Sequence, residues 1–189
     1  MRSLLTLLVV VGLAVAADKP APTAKPATKP AAKPAVAKKV DVGTQAPEFK
    51  LKGSDGKVFD LAELTAKGPV LVRLTCGCSG CDKELGYFQA LHEAYKGAGL
   101  TSVAIFKETD AKVEAYVKSK KLNMLYAVDT KGESWKAFET KTMPSNFLIG
   151  KGGKILAVSV GCDPSGLIAK KISAKVADTV KVPAVELKK

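Results

Sequence analysis

Histidine is nearly missing from this chain: His92 is the only one in 189 residues. That removes the His pairs and triads from which many catalytic metal centres and acid–base relays are built. Arginine is almost as scarce, with Arg2 near the start and none beyond Arg73. Aromatic residues make up 6% of the chain and do not interleave with the basic ones, so the folded part offers no stacking platform for nucleic acid. No internal repeat is present. The apolar run at residues 4–15 is shorter than the roughly 20 residues that a membrane-spanning helix needs. No cysteine follows that run, which excludes a lipid anchor on a new N-terminal Cys.

What the first residues do contain is a leader pattern. Arg2 precedes the apolar run, and Ala14-Val15-Ala16 offers a small-residue cleavage site before Ala17. Residues 1–16 are read as a signal peptide, with an uncleaved anchor as the competing reading. The chain is expected to be exported, to the periplasm or cell envelope.

Residues 17–41 repeat Lys-Pro at 19–20, 25–26, 29–30 and 33–34, with alanine between. Proline removes backbone donors and holds the preceding residue extended, so this stretch is expected to be a stiff, solvated spacer. It carries four of the formal +12 charges, and about +7 remains on the folded part. Contact with an anionic envelope surface is the partner such a spacer would take.

From Val42 to residue 177 the pattern is that of one α/β domain, with a tail at 178–189. Phe49, Leu51, Val58 and Phe59 flank the turn "GSDGK" and predict a hairpin, followed by a helical turn at 61–64. "VLVRLT" and "LTSVAIF" read as buried strands. Leu85, Phe88, Leu91 and Tyr95 recur at helical spacing between them, and Val113, Tyr116 and Val117 do so after them. "NMLYAV" reads as a short strand and "ESWKAFE" as a helical turn. "SNFLIGKGGKILAVSV" reads as two strands about a turn, and a last helix is expected with Asp163 as N-cap and Pro164 at its first position. This alternation predicts a central sheet with helices on both faces. Arg73, inside an apolar strand, is expected to be ion-paired or to snorkel to the surface. His92 is expected on an exposed helix face.

Three of the four cysteines fall within "TCGCSGCDKE", at the C-terminal end of a predicted central strand. Cys78 and Cys81 open the next helix. Unpaired N–H groups and the helix dipole there favour a thiolate, so Cys78 is expected to be the nucleophile and Cys81 the resolving thiol. A structural disulfide is the first alternative, though a two-residue loop gains little chain entropy from being closed. A metal site is the second. Cys76, Cys78, Cys81 and Cys162 lack the paired knuckles of a zinc ribbon, but soft thiolates suit Cu(I). No metal ligand is assigned.

"VLVRLTCGCSGCDKEL" followed by "TMPSNFLIGKGGKIL" resembles the exported thioredoxin-fold redoxins, the TlpA-like thiol–disulfide oxidoreductases. The leader "VGTQAPEFKL…DGKVFDLAEL" is similar to that branch and to the related AhpC/TSA peroxiredoxins. The likeness spans residues 42–176. It implies a thioredoxin fold, a mixed sheet flanked by helices with an N-terminal β-hairpin extension, and a redox-active Cys78–Cys81 disulfide with no other cofactor. It also implies a cis Met143–Pro144 bond beside the cysteines, with Met143 and Pro144 binding substrate by strand addition. Gly77 stands where the family usually has tryptophan, and Val72 where thioredoxins bury an acid. The loop carrying Cys162 borders the active site in that fold, so Cys76 and Cys162 are candidate auxiliary thiols.

The function expected is exchange of disulfides with protein thiols, supplied by an envelope electron donor and involving no nucleic acid. Two alternatives stand beside it. A thiol peroxidase would use Thr75, three residues before Cys78, but lacks the preceding proline and a following arginine. A non-enzymatic copper or zinc carrier would use the sulfur cluster.

Overall fold

The computed structural model describes residues 40–54 and 56–188. The expected signal peptide (residues 1–16) and residues 17–39 of the expected spacer (17–41) lie outside the described residues. The elements are β1 (Lys50–Lys52), β2 (Val58–Asp60), α1 (Leu61–Lys67), β3 (Val70–Thr75), α2 (Ser79–Asp82), α3 (Leu85–Tyr95), β4 (Thr101–Phe106), α4 (Asp110–Lys120), β5 (Leu125–Val128), α5 (Glu133–Ala137), β6 (Ser145–Ile149), β7 (Ile155–Val160) and α6 (Leu167–Val180). Five strands form one sheet in the order β5-β4-β3-β6-β7. β3 runs parallel to β4 and antiparallel to β6, so the sheet is mixed.

β3 lies at the centre and all six of its residues are buried. Successive side chains of a strand point to opposite faces, and that alternation sorts the core. Val70, Val72 and Leu74 pack with Trp135, Phe138 and the Phe59 region on one side. Leu71 packs with Phe88, Leu91 and Tyr95 of α3 and with Ile172 and Val176 of α6 on the other. Burying Phe88 and Leu91 contributes roughly 1.5–3 kcal/mol each. Arg73 shares Leu71's face, so its side chain enters the interior under α3. Its guanidinium lies 4.6 Å from the centroid of the Phe88 ring.

The hairpin β1–β2 forms as expected and covers an edge. Gly53 bridges Ala127, and Ser54 N donates to Tyr126 O at 3.0 Å, so β5 is not left fully unpaired. Asp60 caps α1, its Oδ1 accepting from Ala62 N at 2.9 Å. α1 then runs to Lys67 and is longer than the expected turn.

Three other expectations change. The helix opened by the cysteines is not continuous to Tyr95. It breaks after Asp82, and Glu84 begins α3 with its carboxylate turned inward to Arg73 instead of capping the helix. Asp163 is not the N-cap of α6. It closes a turn over Ser165 (Ser165 N to Oδ1, 3.0 Å), and the helix starts after Gly166 at φ 77°, although Asp163 Oδ2 still accepts from Ile168 N at 2.7 Å. The stretch that begins at Asp178 is docked. α6 continues to Val180, Leu187 is buried in the core, and Val185 N donates to the Tyr95 hydroxyl at 3.0 Å.

Candidate active site

The chain leaves β3 at Thr75 and reverses through Gly77, at φ 67°, before entering α2. A side chain at Gly77 would be strained by that backbone, and its Cβ would sit 3.2 Å from the Tyr116 ring. Glycine here in place of an aromatic residue is therefore a consequence of Tyr116 of α4, which covers the loop from the side. Its hydroxyl donates to Asp82 Oδ1 at 2.8 Å. Burial, and then that carboxylate, push the Tyr116 pKa upward. Lys120 pairs with the other oxygen of Asp82.

This turn brings three sulfurs together. Cys81 Sγ lies 3.5 Å from Cys76 Sγ and 3.6 Å from Cys78 Sγ, and all three lie within 4.8 Å of one another. Cys78 is exposed, Cys76 is half-buried, and Cys81 is buried. The Cys78 pKa is lowered to about 7, first by a hydrogen bond from the Cys76 thiol and next by the Cys81 backbone N–H. Cys76 is pushed up to about 12, mainly by burial and then by its hydrogen bond to Cys78. The proton therefore stays on Cys76 and the negative charge falls on the accessible sulfur. Beside Cys78 opens a groove of about 260 Å³, lined by Cys76, Phe106, Lys112 and Tyr116 among others.

Cys162 does not join the triad. Its exposed thiol donates to Gly80 O at 2.8 Å, on the carbonyl between the two motif cysteines. Burial of its sulfur, and then Glu84, raise its pKa. The Met143–Pro144 bond is cis. Ser145 pairs with Leu74, so Pro144 stands one register step on, at the level of Thr75. Pro144 O accepts from Gly161 N at 2.9 Å, tying this loop to the one that carries Cys162.

Sequence reasoning did not find Glu84. Its Oε1 lies 2.5 Å from Arg73 Nη1, with both side chains buried, and its Oε2 accepts from Asp163 N at 2.9 Å. Arg73 also donates to Asn146 Oδ1 at 2.9 Å and to Cys81 O at 3.0 Å. Arg73 is thus ion-paired in the interior and does not snorkel. The readable signal was a single charge inside an apolar strand, which has to meet an opposite charge once buried. His92 is half-buried rather than exposed, and its pKa is lowered by burial and then by Lys96.

A five-stranded mixed sheet, a Cys-x-x-Cys pair on a helix at the end of its central strand and a cis-proline loop alongside define a thioredoxin-fold redoxin. Comparison with known proteins agrees. The family model described as AhpC/TSA matches residues 42–158, and the chain belongs to that family. The thiol-disulfide oxidoreductase ResA of Bacillus thuringiensis subsp. konkukian (strain 97-27) is 34% identical over 119 residues, covering 62% of this chain and 69% of the relative. ResA of Bacillus subtilis (strain 168) is 29% identical over 130 residues, covering 68% and 73%. A Chlorobium tepidum structure assigned to the thiol:disulfide interchange protein DsbE superposes with a TM-score of 0.68 at 24% identity, covering 75% of this chain and 99% of that one.

Proposed function

We propose that this protein is an exported thiol–disulfide oxidoreductase acting on protein thiols and disulfides. The observation that carries the reading is the pair of sulfurs 3.6 Å apart, one exposed and held toward the thiolate, the other buried directly behind it. In the reducing direction, Cys78 thiolate attacks a substrate disulfide, releasing one substrate thiol and forming a mixed disulfide. Cys81 then attacks Cys78 Sγ, which frees the second substrate thiol and leaves the Cys78–Cys81 disulfide. A dithiol donor in the envelope reduces that disulfide and completes the cycle. Met143 and Pro144, on the loop beside the motif, would align the substrate chain by strand pairing.

The leader at residues 1–16 supports export, and a substrate pool of envelope proteins follows from it. Among the described residues no helix is long and apolar enough to cross a membrane. The peroxidase alternative needs a cation at Cys78 to hold a peroxide. Arg73, the last arginine of the chain, is buried and committed to Glu84, Asn146 and Cys81 O.

Differential alkylation with mass mapping across thiol–disulfide buffers tests the reading. A reversible Cys78–Cys81 bond is expected, with Cys81→Ser trapping mixed disulfides on Cys78. Cysteines 78 and 81 that never pair would overturn it.

A further inference from the structure

Disulfide exchange makes and breaks its bond between Cys78 and Cys81; beyond favouring the Cys78 thiolate, the third thiol takes no part in that bond. Its placement is specific. The three sulfurs are not lined up, since the angle they make at Cys81 is no wider than about a right angle given separations of 3.5 Å, 3.6 Å and at most 4.8 Å. Passing a disulfide from Cys78 to Cys76 by displacement at Cys81 would call for a nearly straight line of sulfurs. A triangle instead surrounds a common point. With metal–sulfur bonds of about 2.3 Å, donors around one ion lie roughly 3.8–4 Å apart, close to the 3.5 Å and 3.6 Å separations from Cys81, and the third separation is at most 4.8 Å.

We propose that the reduced Cys76, Cys78 and Cys81 triad is a three-coordinate site for Cu(I). The donor set is all sulfur, which selects soft ions such as Cu(I) and Zn(II) over hard ones. Zinc sites of structural type are closed by four ligands, and among the described residues no fourth His, Cys, Asp or Glu donor joins the three. Cys162 Sγ is engaged with Gly80 O, and among the described residues no other group of three or more His, Cys, Asp or Glu side chains gathers as a metal site. The backbone holds the triangle in advance: Cys76 is fixed by the end of β3, Gly77 reverses the chain, and Cys81 sits in the single turn of α2. Binding displaces the thiol protons to solvent. Loading and the disulfide exclude each other. When Cys78 and Cys81 give two electrons to a substrate disulfide and bond together, the substrate takes two protons from solvent and leaves as two thiols, and the ion departs still as Cu(I).

The site does not depend on exchange chemistry, and the two fail separately. The full chain, reduced under anaerobic conditions, is titrated with Cu(I) against a chromogenic Cu(I) chelator. One equivalent should be retained, with near-ultraviolet thiolate-to-copper absorption and three sulfurs by X-ray absorption. The Cys78–Cys81 disulfide form should retain none. Losing even a partner behind a metal ligand costs roughly 10–100-fold in affinity, so Cys76→Ser should cost about a hundredfold or more. That variant should still close the Cys78–Cys81 disulfide at a shifted potential, and a wild-type circular dichroism spectrum with cooperative unfolding reports that it is folded. The inference is overturned if the wild type retains no Cu(I), if Cys76→Ser binds as tightly as wild type, or if X-ray absorption counts only two sulfurs.

Discussion

Arg73 Nη1 and Glu84 Oε1 meet at 2.5 Å in the interior, between the central strand and the first residue before α3. The contact explains why the cysteine-bearing turn is a separate piece of helix. A guanidinium on the helix-facing side of β3 has to be neutralised, and Glu84 leaves a capping geometry to do so. Removing one partner leaves a buried charge alone. Glu84→Ala should destabilise the fold by about 3–5 kcal/mol, whereas replacing both with apolar residues (Arg73→Met with Glu84→Leu) should recover most of that loss. Urea unfolding of the reduced proteins measures both.

Cys78 should titrate by its rate of alkylation. Its thiolate fraction rises with pH through about 7, so the rate should climb across that midpoint and flatten one to two units above it. The largest cause of the low value is the Cys76 thiol. Cys76→Ala should therefore move the midpoint upward, toward that of an ordinary thiol. Stopped-flow alkylation with mass mapping of the Cys78 adduct, in the Cys81→Ser/Cys162→Ser form with and without Cys76→Ala, follows Cys78 apart from the other exposed thiol, and an unchanged midpoint would remove Cys76 from that role.

Gly77 cannot be exchanged for the aromatic that its family position suggests. Gly77→Ala should cost roughly 1–2 kcal/mol for an L-residue at positive φ, and Gly77→Trp more, because the Tyr116 ring already fills the space. Thermal unfolding ranks the two. Tyr116→Ala combined with Gly77→Trp should regain part of the loss only if crowding adds to strain.

Leu187 is expected to act as a core residue despite standing two positions from the last residue. Leu187→Ala should cost about 2–5 kcal/mol, the range for truncating a buried leucine. Deleting residues 183–189 should cost more, since Tyr95 also loses its partner Val185 N. Chemical denaturation gives both values.

The strands β3, β4, β6 and β7 were legible because buried strands write themselves as runs of β-branched and apolar residues with few interruptions. The motif cysteines were legible by spacing and by their position after such a run. Less readable was anything set by a partner distant in sequence. The break after Asp82 depends on Arg73, eleven positions from Glu84, and the burial of Leu187 depends on the pocket between α3 and α6. Gly77 looked like a departure from a pattern. Its reason lies in Tyr116, 39 positions on. Asp163 was misplaced for a local reason, because its side chain closes a turn first and Gly166 then postpones the helix.

Burial of Arg73 has an effect at the outer surface. It is the last arginine of the chain, and the only other is Arg2, outside the described residues, so every fixed side-chain cation that the described domain shows to solvent is a lysine ammonium. Planar two-pronged gripping of carboxylates or phosphates is closed to that surface, because lysine acts as a hydrated point charge on a flexible stem. Encounters with acidic partners would then be governed by long-range attraction, fading over a Debye length of about 8 Å at physiological ionic strength.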